Sequence, residues 1–164
     1  MQGGDVFTIK QFVTSDYCLR CLGCCRYSSN SSVWAPNLLE QEKRKLGLEK
    51  IELIPVNETC VCSFLNSENN HCRIYKKRPL ECRLYPFLVN YRDGKLYLSV
   101  HTGCPFVKDG EQSRTINSKE FKRYLDYLIR CLLKPRVSSS LNESRKDFYS
   151  YPAEQVENLA ELEI

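Results

Sequence analysis

Four cysteines crowd into the eight residues from Cys18 to Cys25, which read Cys-Leu-Arg-Cys-Leu-Gly-Cys-Cys. A packed core gains little from four small thiols in one place, whereas thiolates are the preferred ligands of soft metals. A Cys-x-x-Cys pair can bind one zinc ion through both sulfurs. Cys18, Cys21 and Cys24 also match the first three ligands of bacterial iron–sulfur motifs, although Ser28 stands where the fourth is expected. The run predicts a metal centre.

The adjacent pair Cys24 and Cys25 constrains how many centres there are. Side chains of neighbouring residues tend to point apart, so two adjacent cysteines do not easily bind one metal ion. We expect the pair either to serve two centres or to bridge into one polynuclear centre.

Other cysteines follow at wider spacing. Cys60, Cys62, Cys72 and Cys82 lie in a second region, and Cys104 is followed by a proline, as is the last ligand of bacterial clusters. The spacing of ten positions between Cys72 and Cys82 is too long for a zinc knuckle, so we expect an ordered loop or helical turn there. Cys131 lies at the edge of an apolar helix face, where a lone cysteine is expected to be a core residue.

The elements that position these residues can be predicted in part. Pro36 and Gly47 suit the two ends of a helix over about 36–46, and residues 51–56 resemble a short strand. Residues 87–91 and 96–100 are β-rich, and the Asp-Gly step between them predicts a hairpin. Residues 117–134 predict a helix capped by Asn117 with Glu120, and apolar side chains on one face.

These elements predict an α+β fold, a small cysteine-rich domain with a β-hairpin and two or three helices. We expect this domain to span residues 1–134. Residues 135–164 are expected to form a polar linker over 135–150 and a short acidic C-terminal helix or tail from about Pro152 to Glu163.

Ten cysteines would also suit disulfides in a secreted protein. The N-terminus, however, lacks the basic start and apolar run of a signal peptide, and no apolar stretch approaches the ~20 residues of a membrane-spanning helix. We therefore expect a cytoplasmic chain with reduced thiols and no membrane partner.

The charge is uneven: residues 1–146 hold all 24 Lys and Arg against 15 acids, and residues 147–164 hold five acids without a Lys or Arg. A basic body favours nucleic acid. Eight thiolates bound to two centres of two positive charges each would, however, add a net charge of −4, which offsets the formal net charge of +4. Nucleic acid is therefore not the expected partner.

The combined motif resembles the CxxCxxCC family, which comprises proteins described as zinc- or iron-chelating or as containing iron–sulfur clusters. The residues that carry the resemblance are Cys18-x2-Cys21-x2-Cys24-Cys25, Cys62-Ser63-Phe64-Leu65, Cys72-x-Ile74-Tyr75-x2-Arg78-Pro79-x2-Cys82-Arg83-x-Tyr85-Pro86-Phe87 and Cys104-Pro105. The resemblance implies eight metal ligands: Cys18, Cys21, Cys24, Cys25, Cys62, Cys72, Cys82 and Cys104. Cys60 and Cys131 fall outside it.

Residues beside these cysteines have predicted supporting roles. Arg78 and Arg83 could offset thiolate charge or donate hydrogen bonds to sulfur, with solvation as the alternative. Tyr75 and Tyr85 are expected to pack around the centre. His71 and His101 could replace a cysteine ligand, but eight matching thiols make this the weaker alternative.

Three functions fit these features. The first is an iron–sulfur protein, with [4Fe–4S] as the expected cluster, that exchanges electrons with a protein redox partner. The second is a Zn²⁺ module that presents a surface to a protein partner. The third is a metal-containing transferase, because flagellin lysine methylases are distantly similar in their cysteine motif. The sequence has no glycine-rich phosphate loop, no Gly-x-Ser-x-Gly and no His-Glu-x-x-His, so it does not decide whether the protein is an enzyme.

Overall fold

The computed structural model describes residues 9–21, 23–112, 118–145, 148 and 150–164. The helices are α1 (Ser15–Cys21), α2 (Glu40–Leu46), α3 (Leu80–Leu84), α4 (Pro105–Gln112), α5 (Lys119–Leu132) and α6 (Pro135–Glu143). The strands are β1 (Arg26–Tyr27), β2 (Leu53–Val56), β3 (Thr59–Cys62), β4 (Leu65–Asn66), β5 (His71–Cys72), β6 (Phe87–Arg92), β7 (Lys95–His101) and β8 (Val156–Leu162). The α+β class is confirmed, with more helices than expected because several are only one or two turns long.

The larger sheet has the strand order β6-β7-β8 and is antiparallel throughout. Its first two strands form the predicted hairpin, in which Arg92 pairs with Lys95 around a two-residue turn. Both turn residues have positive φ, 51° at Asp93 and 80° at Gly94, as this type of turn requires. Leu98 and Val89 in this sheet are fully buried, so the hairpin supplies one side of the main hydrophobic core.

Helix α5 covers this core with the apolar face that its spacing predicts. Phe121, Leu128 and Leu132 are buried on it. The helix begins two residues later than expected, and the cap is Ser118, whose hydroxyl accepts a hydrogen bond from the Phe121 amide at 3.1 Å. The predicted cap, Asn117, lies outside the described residues.

The predicted acidic C-terminal helix is wrong, because residues 156–162 form strand β8 beside β7. A bulge interrupts the pairing: Ala160 lies opposite Leu98, and Asn158 lies opposite Ser99, so Leu159 has no partner. The extra residue breaks the alternation of apolar and polar positions that would have indicated a strand. Asn158 fixes the bulge by accepting hydrogen bonds from Asn90 and Ser99 at 3.1 and 2.6 Å.

The predicted linker over 135–150 is also corrected, because Pro135–Glu143 forms α6. Val137 and Leu141 on α6 and Phe148 beyond it are buried in the same core as the hairpin. The expected domain boundary after residue 134 therefore falls between elements that share one sheet and one core.

The part of the chain that carries the cysteines is built from smaller elements. A second sheet has the order β1-β3-β2, and β4 and β5 form a separate two-stranded ladder. The second hydrophobic cluster contains few buried residues: Leu38, Ile51, Cys62 and Leu65.

The boundaries of two elements in this region differ from those predicted. Helix α2 begins at Glu40 because Leu39 is extended, with ψ of 151°, and strand β2 begins at Leu53. Gly47 ends α2 with φ of 67°, as predicted.

Helix α3, which carries Cys82, is anchored by two buried carboxylates. The Glu42 carboxylate of α2 accepts hydrogen bonds from the amides of Leu39 at 3.0 Å and Leu80 at 2.6 Å, so one side chain caps the start of both helices. Glu81 accepts a hydrogen bond from the Asn37 amide at 2.7 Å.

In the described ranges, no helix combines the length and apolar character needed to cross a membrane.

Candidate metal centre

All ten cysteines lie within the described residues, and all are free thiols. Cys60 and Cys131, which fall outside the motif, are buried at 7% and 6% exposure.

Helices α1 and α4 bring four of the predicted ligands together. Cys18 and Cys21 are three residues apart on α1 and so lie on one helix face. Cys104 precedes α4, and its thiol accepts hydrogen bonds from the amides of Val107 and Phe106. The Tyr17 hydroxyl of α1 donates to the Asp109 carboxylate of α4 at 2.6 Å, which holds the two helices together. A small cavity of about 20 Å³ is lined by cysteines from both: Cys18, Cys21, Cys24 and Cys104.

Three strands and α3 bring the other four together. Cys25 and Cys62 are neighbours across the β1–β3 pairing, where the Cys62 amide donates to the Cys25 carbonyl at 2.9 Å. The two thiols also share a hydrogen bond. The β4–β5 ladder places Cys72 opposite Leu65, just beyond Cys62. Cys82 reaches the same region from α3.

A cavity of about 560 Å³ lies between these elements. Its lining is mainly apolar and includes six of the eight predicted ligands: Cys18, Cys24, Cys25, Cys62, Cys72 and Cys82. Cys18 and Cys24 thus face both cavities. Among the residues that the structure describes, no group of three or more His, Cys, Asp or Glu side chains is placed so that it could hold a metal ion as it stands.

Backbone amides are aimed at three of the predicted thiols. Cys62 accepts from Phe64 and Leu65, Cys72 accepts from Ile74, and Cys104 accepts from Phe106 and Val107. The donors lie two or three residues after the cysteine, and each such bond stabilises a thiolate over a thiol. The Cys25 thiol, and then these amides, lower the pKa of Cys62 against the effect of burial, whereas burial keeps the pKa values of Cys72 and Cys104 above their usual range. Amides placed around sulfur in this way suit a soft-metal site.

Cys24 and Cys82 also resist ionisation while no cation is near them. Burial, and after it the thiolates of Cys18, Cys104 and Cys21, raise the pKa of Cys24 to about 12. Burial is also the main reason that the pKa of Cys82 lies well above its usual value, with Cys62 adding to it. A bound cation would remove both costs, so the donor set fits a metal centre.

Arg78 is a cation that lies beside several of these thiols. It lines the large cavity, lies over the Tyr75 ring with its guanidinium carbon 3.8 Å from the centroid, and lowers the pKa of several thiols, among them Cys18 and Cys72. Arg83 instead donates to the carbonyls of Arg78 and Lys76 and so shapes the loop before α3. Of the two predicted supporting arginines, Arg78 is therefore the one placed to offset thiolate charge.

Tyr85 and His101 form a connection between the two cavities that their sequence context did not predict. The Tyr85 hydroxyl donates to the Cys104 thiol and lies 2.9 Å from His101 Nδ1. His101 stacks on Trp34 with ring centroids 3.9 Å apart, and both line the large cavity. A side chain at Gly103 would come within 2.6 Å of His101 Nε2, so glycine is needed there.

The two histidines that could have replaced a cysteine ligand, His71 and His101, both line the large cavity. Neither forms a metal site with the thiols as placed.

Asn70 is a second residue of this region that sequence reasoning did not identify. It has φ of 59°, a conformation that asparagine tolerates better than most residues. Its side chain donates to the Leu19 carbonyl at 2.8 Å and accepts from Arg26 at 2.7 Å, which ties the β4–β5 loop to the cysteine run. The Asn-Asn pair before His71 was the sequence signal for this turn.

A family comparison matches residues 17–105 to the CxxCxxCC model, described as "putative zinc- or iron-chelating domain". The chain belongs to the CxxCxxCC family. This match covers all eight predicted ligands, and metal binding is the property that it supports. An uncharacterized protein of Methanocaldococcus jannaschii is 32% identical over 100 residues, which cover 51% of this chain and 50% of that protein. The chain thus spans about half the length of this relative. No solved structure matches the chain.

Proposed function

We propose that this CxxCxxCC protein is an iron–sulfur protein of the cytoplasm that exchanges electrons with a protein partner, with Cys18, Cys21, Cys24, Cys25, Cys62, Cys72, Cys82 and Cys104 as ligands. The observation that carries the proposal is the 560 Å³ cavity with six of these thiols on its wall. A tetrahedral zinc ion with Zn–S bonds of ~2.3 Å draws its sulfurs to roughly 3.8 Å from one another. A cavity of this size instead suits a bulky cluster of iron and sulfide, with [4Fe–4S] as the expected type.

The cluster would supply one-electron chemistry, and the chain's own residues would tune it. Amide donors at Cys62, Cys72 and Cys104 and the Tyr85 hydroxyl are the kind of hydrogen bonds that raise the reduction potential of a thiolate-bound cluster. Arg78 would offset part of the negative charge. The apolar lining would limit access of water.

Two cysteines on β3 give a matched test. Cys60 and Cys62 are two residues apart, so they lie on the same face of the strand, and both are 7% exposed. In anaerobically purified protein, Cys62→Ser is expected to lose at least half of the bound iron and of the visible absorption. Cys60→Ser is expected to keep both, because Cys60 is only a small buried side chain. Absorption spectra and iron analysis measure the difference. Equal losses in the two variants would contradict the proposed role of Cys62.

Zinc is the second candidate, because the family description names zinc as well as iron. Amide donors to thiolates at the second and third following residues also fit a structural zinc site. A colourless protein whose zinc is lost in Cys62→Ser and kept in Cys60→Ser would establish this alternative.

A further inference from the structure

We propose that the eight thiols form two centres of four, with Cys18, Cys21, Cys24 and Cys104 in the first and Cys25, Cys62, Cys72 and Cys82 in the second. This assignment deepens the proposed function and rests on it for the identity of the metal. The description of the family gives no such division.

The first centre is defined by the contact of α1 with α4. Cys18, Cys21 and Cys24 surround the small cavity together with Cys104, and the Tyr17–Asp109 hydrogen bond closes the two helices over it. The edge contact of Tyr17 with Phe106, at 5.3 Å between ring centroids, packs the same two helices together. No cysteine of the second set lines this cavity, whereas Cys18 and Cys24 of the first set also reach the wall of the large one.

The second centre is defined by backbone pairing. Strands β1 and β3 hold Cys25 beside Cys62, and their thiols are hydrogen-bonded to each other. The β4–β5 ladder then returns the chain so that Cys72 lies on the same cavity wall, and α3 brings Cys82 there.

The backbone at Cys25 explains how adjacent cysteines reach different centres. Its φ is 64°, in the left-handed region that side-chain-bearing residues other than Asn and Asp rarely adopt. Strain of this kind persists where the surroundings require it and is frequent at functional sites. Here it turns the chain between Cys24 and Cys25 just before β1 begins at Arg26. Since the two Cα atoms are ~3.8 Å apart, the two centres would be close neighbours, a suitable arrangement for passing an electron between them.

The matched variants Cys24→Ser and Cys25→Ser test this assignment. Each is expected to hold about half the metal of the wild-type protein. Alkylation of the native variants, followed by mass spectrometry, identifies the thiols that metal still protects. In Cys24→Ser the protected set should be Cys25, Cys62, Cys72 and Cys82. In Cys25→Ser it should be Cys18, Cys21, Cys24 and Cys104. Loss of protection at all remaining thiols in both variants, or the same protected set in both, would overturn the division.

The wild-type protein gives a measurement that does not depend on how the variants fold. During slow metal removal by a chelator, alkylation of Cys24 should follow the time course of Cys18, and alkylation of Cys25 should follow that of Cys62. Equal rates at Cys24 and Cys25, with Cys18 and Cys62 differing, would overturn the assignment. If the metal is zinc, the iron–sulfur proposal fails while the division is still tested by the same protection pattern. If a cluster is present but the pattern is absent, only the division fails.

Discussion

Removal of the metal is expected to unfold the cysteine-bearing part of the protein and to leave the larger sheet folded. The second hydrophobic cluster has only Leu38, Ile51, Cys62 and Leu65 as its buried residues, so it contributes little stability by itself. Metal binding by thiolates contributes about 10–16 kcal/mol in structural zinc peptides, and here that free energy would hold β1 to β5 together. Strands β6 to β8 have their own core with α5 and α6.

Hydrogen–deuterium exchange before and after anaerobic chelation measures this effect. Amides of β3 and of the β4–β5 ladder should lose most of their protection, whereas those of Leu98 and Leu128 should stay slow to exchange. The two regions act as each other's control in one sample. Unchanged protection of β3 in demonstrably metal-free protein would contradict the structural role given to the metal.

Replacing Glu42 is expected to be strongly destabilising although this residue is not a metal ligand. Glu42→Ala leaves the amides of Leu39 and Leu80 without their carboxylate acceptor in the protein interior. Each such buried donor costs about 1–3 kcal/mol, so the expected loss is about 2–6 kcal/mol in the free energy of unfolding. The start of α3 would also loosen, and Cys82 with it, so the affinity for metal should fall. Urea denaturation and competition with a chelator measure the two effects.

Glu40 is the matched control for this prediction. It lies two residues away on α2, and its exposed carboxylate pairs with Lys43 at 2.6 Å. Because this carboxylate is open to solvent, the pair is expected to contribute little to stability, and Glu40→Ala should leave the urea midpoint nearly unchanged. Similar midpoints for Glu42→Ala and Glu40→Ala would show that the buried carboxylate does not hold the two helices.

The elements that could be predicted from sequence are those whose signals are local. The Asp93-Gly94 turn needs positive φ at both residues and is flanked by β-branched and aromatic residues, so the hairpin could be predicted from the sequence. The apolar face of α5 repeats with the helical period, so its position was predicted to within two residues. Pro36 gives a local helix-starting signal, yet helix α2 begins only at Glu40. Leu38 and Leu39, which precede it, are buried in the two hydrophobic clusters, and this burial keeps them out of the helix.

Strand β8 and helix α6 depend on tertiary contacts that their sequences do not reveal. The segment from Val156 to Leu162 contains good helix formers, and its bulge at Leu159 hides the strand period. Helix α6 contains three consecutive serines, a composition typical of loops, yet Ser140 is buried together with Val137 and Leu141. Packing against the hairpin overrides local propensity in both cases.

The sequence predicted a set of candidate ligands but not their arrangement. The spacing by itself indicated a metal centre at the run from Cys18 to Cys25, and the resemblance to the family implied the full set of eight. Which thiols lie together depends on the contact of α1 with α4 and on the β1–β3 pairing, and both join residues far apart in sequence. The Tyr85–His101 connection and the Trp34 stack depend on the same long-range packing.

The most direct test of the iron–sulfur proposal is the content of iron, zinc and acid-labile sulfide per chain in anaerobically purified protein, measured on one sample together with its absorption spectrum. The account predicts iron and sulfide in similar amounts, with a broad band near ~400 nm that bleaches on reduction with dithionite. A colourless protein that holds zinc without sulfide would contradict it.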